Sequence, residues 1–396
     1  MKHLALIASF WMWSISVALA TDNFEDRMLN LGVDEDFTVM ERGHIKDQVK
    51  NFIPPLLIPA VGGHAYVLPP GLFNFSTNFK FVNVDEDDWY KDGMIDPIHR
   101  ENQVQRRFIT SSLKYGFDLD RKYFHSFTAV LNLTYESSVN RGPVRLPDIG
   151  NNAKSVYNTG TSEGLQDINI MLKKKIWDQG NKPVGWAVAV GLYLPTGDTS
   201  AKAGDNGVIS VKDDTTGAVV KPTFKRFTDT GELPAGRQLG NGEFSYKVAS
   251  FWTRQFLPGD MPSFLEGTKF DRAAVHWGFA YRFNAEHDGV DPGDKATIFG
   301  SLVVPVHKDY LSAQVSSINI WQANDTYEGN FQFPNSSTPA PRPDFRGGWL
   351  NLVGPSIIYS PDPLVRFTAT YLHRVSAPSK GPNPPYVVNL GAAINF

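Results

Sequence analysis

Cysteine is missing from all 396 residues. A chain without thiols builds no disulfide scaffold, no Cys-ligated zinc or iron–sulfur site and no cysteine nucleophile. Long apolar runs are missing as well: beyond the first twenty residues no stretch of eighteen apolar residues occurs, and the mean hydropathy is −0.26. Helical membrane spans are therefore not expected, but strands that alternate apolar and polar residues leave the same low mean and stay open as a way across a membrane. Positive charge is not in excess, with 38 Lys and Arg against 41 Asp and Glu, so nucleic acid is not an expected partner. H-E-x-x-H, P-loop and dinucleotide-binding patterns are also absent, and we expect neither a cofactor nor an enzyme.

What is present begins with Lys2, an apolar stretch through Leu4–Ile7, Phe10–Trp13, Ile15 and Val17, and Ala18-Leu19-Ala20 before Thr21. This order of charge, apolar core and small residues predicts a secretory signal peptide over 1–20, cleaved after Ala20. Loss of Lys2 leaves 37 bases against 41 acids, a formal charge of −4 in place of −3. Residues 21–71 then read as a separate, mostly irregular segment: an amphipathic helix over 34–52, stopped by Pro54 and Pro55, and a Pro/Gly-rich stretch to Gly71. Ile53, Leu56, Leu57, Ile58 and Val61 give the segment apolar surface with which to dock, either as a periplasmic extension or as a plug inside a barrel.

From Leu72 the dominant period is two, the signature of strands with one apolar and one polar face. Phe73, Phe75, Phe79 and Phe81 stand opposite Asn74, Ser76, Asn78 and Lys80. Ile109, Leu113, Tyr115, Phe117 and Leu119 stand opposite Lys114, Gly116 and Asp118, and Phe127 to Tyr135 alternate with Thr128, Asn132, Thr134 and Glu136, with Val130 as the exception. The pattern continues through 168–172 and 186–194, then through runs near 243–253, 273–283, 296–306 (where parity is poor), 311–322, 348–360, 364–375 and 386–396. We count about twelve strands (10–14) over 72–396 and expect an all-β, transmembrane, antiparallel up-and-down barrel. A secreted β-sandwich is the soluble alternative.

The connections carry separate information, because such barrels use short turns on the periplasmic side and long loops outside. Gaps near 83–102, 138–163, 196–240 and 325–346 are long, whereas 120–123, 178–183, 307–310 and 361–363 are short. Only 257–270 is too long for its place and could signal a miscounted strand. Residues 207–221, broken by Asp213-Asp214-Thr215-Thr216-Gly217, read as a hairpin within the longest loop. The acidic cluster Asp85–Asp88 with Asp92 lacks EF-hand spacing and reads as a solvated loop, with Ca²⁺ or lipopolysaccharide bridging as the alternative.

The last run places Tyr386, Val388, Leu390, Ala392, Ile394 and Phe396 on one face. It resembles the C-terminal signal of Gram-negative outer-membrane barrels, which implies recognition by the barrel-assembly machinery, an outer-membrane location, and lipid and lipopolysaccharide as surroundings. A second stretch, Gly164-Leu165-Gln166-Asp167-Ile168-Asn169-Ile170, followed by Trp186–Leu194 and Pro195-Thr196-Gly197-Asp198, is similar to the MetA-pathway phenol-degradation family of outer-membrane proteins. Gln166 departs from the small residue often found there. The resemblance implies a transporter-like, porin-like barrel taking up small solutes, aromatic or hydrophobic compounds among them. By themselves Pro, Thr, Gly and Asp are turn formers, and a structural role is the simpler reading of 195–198.

If the apolar faces meet lipid, the opposite faces line the lumen with Lys80, Arg106, Lys114, Lys173, Lys247, Arg282 and Arg366 and with Asp118, Glu136, Asp167 and Glu243, together with Asn169 and His276. Such a lining serves either as an anion-attracting path or as an internal charge-paired network. Trp177, Trp186, Trp252, Trp277, Trp321, Trp349, Tyr359, Tyr371 and Tyr386 suit the headgroup zone, and a lumen-facing subset would offer a path for aromatic solutes. Of the strand histidines, His276 has lumen parity, His373 has lipid parity, and His125 lies near a strand start. The functional expectation is a passive channel for small solutes, and the alternative is a non-transporting barrel acting through its long loops.

Overall fold

The computed structural model describes residues 58–84, 89–91, 94–95, 103–119, 126–144, 156–177, 184–200, 208–212, 219–225, 239–256, 268, 272–286, 290–307, 310–324, 326–327, 330–331, 340–341, 347–376, 379–382 and 384–396. The signal peptide, the 34–52 helix, residues 53–57, the acidic cluster at 85–88 and 92, and His125 lie outside them. No helix long and apolar enough to cross a membrane occurs among the described residues.

The wall consists of β1 (Phe73–Val84), β2 (Gln103–Phe117), β3 (Phe127–Val144), β4 (Val156–Leu165) and β5 (Ile168–Trp177), β6 (Gly185–Leu194), β7 (Ser245–Gln255), β8 (Ala274–Phe283), β9 (Lys295–His307), β10 (Leu311–Gln322), β11 (Gly347–Asp362), β12 (Val365–Ser376) and β13 (Tyr386–Asn395). Since β4 and β5 are successive lengths of one wall strand, twelve strands surround the lumen. Each pairs antiparallel with its chain neighbours, and β13 closes on β1 from Asn74↔Asn395 to Asn83↔Tyr386. At this seam Phe73 and Phe396 exchange backbone hydrogen bonds of 2.7 and 3.0 Å, and their rings stack. Closure leaves no unpaired edge, which a spanning sheet requires because lipid offers the backbone no partners.

One parity runs through every register. Lys114 faces the lumen beside Asn74 and Val130, and the same face continues through Lys173, Ala189, Ala249, Ala280, Thr297, Ile320, Leu350 and Arg366. On the opposite face Leu131, Ile170, Val190, Val248, Phe279, Ile298, Val315, Ile357 and Leu390 are all exposed and make a largely apolar surface. Aromatic rows edge this surface. Trp177, Trp186, Trp252 and Trp277 are cross-strand neighbours at one end, and Trp321, Trp349, Tyr371 and Tyr386 lie at the other. Trp349 and Tyr359 lie on the outward face of β11 in opposite belts; at about 3.3 Å per residue and about 40° of tilt they stand roughly 25 Å apart, the height of an outer-membrane apolar band. All nine of these Trp and Tyr residues face outward, so none forms a lumen path for aromatic solutes.

Several expectations change in detail. The connection 256–273 is long on the side of the short turns, yet β7, β8 and β9 pair directly and no strand is missing. Much of the expected loop 138–163 is sheet, because β3 and β4 stay paired from Tyr135↔Leu165 to Val144↔Val156. In this stretch the apolar alternation fades while the backbone ladder continues. The hairpin expected at 207–221 is present as Val208–Lys212 paired with Val219–Lys225.

Poor parity in 296–306 has a tertiary cause. Phe299 and Val303 point into the lumen, where Phe299 packs near Phe251 and against Gly62 and Gly63, and Val303 packs with Ile358 and Ala60. Val130, the other exception, faces the lumen as well and is buried. The departures from alternation fall where residues 58–70 meet the wall.

Candidate functional site

Between β4 and β5 the pairing sum with β3 shifts by one, from Tyr135↔Leu165 to Asn132↔Asn169, which is a β-bulge centred on Gln166 and Asp167. The extra residue turns both side chains inward. Gln166 Nε2 donates to Glu136 Oε2, and Arg106 Nε donates to Glu136 Oε1 at 2.5 Å, so this almost fully buried carboxylate is matched on both oxygens. Asp167 accepts from the backbone amides of Gly197 at 3.1 Å and Asn241 at 3.0 Å. Thr196 Oγ1 accepts from Ile168 N, and the Asp198 carbonyl accepts from Leu239 and Gly240. The Asp198 carboxylate takes two hydrogen bonds from Ser200, which hold it below its ordinary pKa. The Gly164–Ile170 and Pro195–Asp198 stretches are thus one structural stitch that ties the bulge to both ends of the longest loop.

Lower in the lumen the chain crosses its own barrel. Ala60 N donates to Gln314 Oε1 at 2.6 Å, Ala65 N to Thr253 Oγ1 at 2.9 Å and Leu68 N to Thr128 Oγ1 at 2.8 Å. Lys173 Nζ donates to the carbonyls of His64 and Tyr66 at 2.5 and 2.7 Å, and Arg366 Nη2 donates to that of Ile58 at 2.6 Å. These five wall residues sit near the ends of their strands on the side of the short turns, so residues 58–68 form a floor across that mouth. An irregular backbone inside a barrel needs such partners, because it has no ladder of its own. At Gly71, with φ +86°, the chain turns from the floor into β1, its amide bonded to Gly116 O at 2.9 Å. Gly63 is a place of close approach: a Cβ there would stand 2.3 Å from the Phe251 ring.

Above the floor lies a cavity of about 560 Å³. Lys114, Lys173, Lys247 and Arg366 line it with Asn74, Ser112 and Asn132, while Val130, Met171, Phe251, Phe299 and Ile318 supply apolar surface. No carboxylate of the described residues lines it. Ser112, Asn132 and Asn169 form a hydrogen-bonded row along the wall.

The expected lumen residues separate into groups. Lys114, Lys173, Lys247 and Arg366 converge on the cavity, whereas Lys80 and Arg106 lie higher, 4.9 and 5.1 Å from the centre of the Phe108 ring. Arg282 lies 3.8 Å from the centre of the Tyr193 ring and donates to Ser245 Oγ. Asp118 does not join them: it is exposed at the strand end, where it accepts from Ser126 N, and Glu243 precedes β7. His276 is fully buried beside Thr253, with Oγ1 to Nδ1 at 2.9 Å, and its ring packs edge-on to Tyr66. Because that hydroxyl also accepts from Ala65, the pair serves to hold the floor. No cluster of three or more metal-ligating side chains occurs among the described residues. Missing from the sequence reading were Thr128, Thr253 and Gln314 as partners of the floor, and an apolar lumen wall of Val82, Val84, Val104, Leu352, Leu372 and Val387. The one sequence signal for the floor's contacts lay in the broken alternation at Val130 and in 296–306.

No family model and no curated protein matches the chain. Among solved structures, an outer membrane channel from Pseudomonas putida F1 aligns at 13% identity over 85% of this chain and 100% of that one, with a TM-score of 0.50. The transport unit of the autotransporter AIDA-I from Escherichia coli aligns at 8% identity over 89% and 98%, with a TM-score of 0.40. OprB from Pseudomonas putida aligns at 10% identity over 82% and 92%, with a TM-score of 0.30. The likeness to the first is one of fold: this chain is a closed antiparallel barrel of the outer-membrane type.

Proposed function

We propose that this protein is an outer-membrane channel of a Gram-negative bacterium through which small solutes, aromatic or hydrophobic compounds among them, pass passively, and that residues 58–68 act as its plug. The observation that carries this reading is the cavity inside a closed wall, floored by a segment held through hydrogen bonds rather than built into the sheet. A lumen packed solid would serve only the barrel's own stability. A floor held by about half a dozen contacts can shift without unpairing a strand. The resemblance of 160–200 to the MetA-pathway phenol-degradation family, together with the terminal Phe396, supports the same reading.

The test is solute entry into liposomes carrying the refolded mature protein, with phenol, benzoate and a small sugar as solutes, beside a form lacking residues 21–68. Flux through the mature chain supports the channel, and faster flux through the shortened form supports the plug. If both forms are folded and neither passes any solute, the channel reading fails. The long loops, with the 208–225 hairpin, would then be the place to seek a surface-binding role.

A further inference from the structure

The cavity above the floor has an uneven charge that the barrel's own design does not require. Among the described residues, four cationic side chains line it and no carboxylate does. The two buried acids of the lumen wall are already committed, Glu136 to Arg106 and Gln166, and Asp167 to two backbone amides. Lys173 spends its ammonium on the floor carbonyls. Lys114 makes no hydrogen bond or ion pair with any described residue, although the like charge of Arg366 acts on it. Arg366 gives one amino group to Ile58, while its Nε is buried without a partner. Cationic donors gathered out of bulk water without a counter-charge are unfavourable unless something negative enters.

The opposite wall has different chemistry. Lys114 and Arg366 belong to β2 and β12, which flank the β1–β13 seam, whereas Phe251 and Phe299 come from β7 and β9 across the lumen. Met171 packs with these rings. Ile318 touches both this cluster and the apolar wall of Val82, Val104 and Leu352, so an apolar path continues from the cavity toward the far mouth. A cavity of this size takes a small organic molecule rather than a lone ion.

We infer that the cavity is a binding site for a small organic monocarboxylate with an aromatic or compact apolar body, its carboxylate on Lys114 and Arg366 and its body against Met171, Phe251 and Phe299. The guanidinium and ammonium supply charge-assisted hydrogen bonds, and the rings supply the desolvated face for the body. This rests on the channel reading, since it names the class of solute that the floor would meet. No bond is made or broken in this role.

The experiment is calorimetric titration of the folded mature protein in a nonionic detergent with benzoate, benzyl alcohol and acetate. Benzoate is expected to bind at least tenfold more tightly than benzyl alcohol, which lacks the charge, and than acetate, which lacks the ring. Lys114→Gln is expected to weaken benzoate at least tenfold and to leave benzyl alcohol unchanged. Equal affinity for benzoate and benzyl alcohol, equal affinity for benzoate and acetate, or benzoate binding indifferent to Lys114→Gln would each overturn the proposal. The three-ligand comparison needs no variant, so it decides even if Lys114→Gln does not fold. Binding is read without flux: benzoate held while no solute passes would keep the site and end the channel reading, whereas solute passed without benzoate binding would do the reverse.

Discussion

Single residues in this lumen do one of two jobs, and their hydrogen bonds tell which. Glu136 and Asp167 are saturated and structural, whereas Lys173 grips a segment that is not part of the wall. Its two bonds are charge-assisted, each worth about 1.5–3 kcal/mol when lost. Lys173→Met keeps a side chain of similar length beside Phe251 and removes both bonds, so it should loosen the floor without unpairing β5. Because the chain has no cysteine, Ala65→Cys supplies a unique and buried thiol as reporter. Maleimide labelling at that position should speed up at least tenfold when Lys173→Met is added. An unchanged rate would mean that the remaining contacts hold the floor by themselves.

At the scale of the strand, exposure to lipid depends on parity and depth together. Val190 lies in the middle of β6 on the outward face, and Val375 lies near the end of β12 on the same face. Val190→Lys should cost about 2–4 kcal/mol in folding into vesicles and Val375→Lys about 0–1 kcal/mol, since the penalty for a charge falls from midplane to interface. Urea titration of folding into lipid vesicles reads both, and equal costs would contradict the lipid-facing assignment. Strand parity was readable in advance for β1, β3 and β6, where one face is lipid and the other a wet lumen. It was unreadable in β9, because Phe299 and Val303 face a lumen that is locally filled by the chain itself.

For the whole molecule, the decisive relation is that of a closed wall to the segment lying across it. Gly63 fits only because it has no side chain beside Phe251 and Phe299. Gly63→Leu should expel the floor from its seat while leaving the strand ladder intact, and single-channel conductance in planar bilayers should rise above that of the parent chain. Conductance equal to the parent's would show that residues 58–68 do not limit passage.

The barrel is legible in the chain alone. A period of two in hydrophobicity needs no distant partner to be read, and its recurrence along the chain, with connections that mostly alternate short and long, favours a barrel over a sandwich. It also identified the inward-facing charges of most strands, since parity is a local property. Which of those charges meet depends on how the wall closes. Lys114 and Arg366 are 252 positions apart in the chain, and only closure of β13 on β1 brings their faces together. The partners of the floor were equally hidden, because Thr128, Thr253 and Gln314 look like any lumen residue until an irregular backbone with unsatisfied amides is laid against them. Alternation encodes which way a side chain points, and only the packed lumen encodes what it finds there.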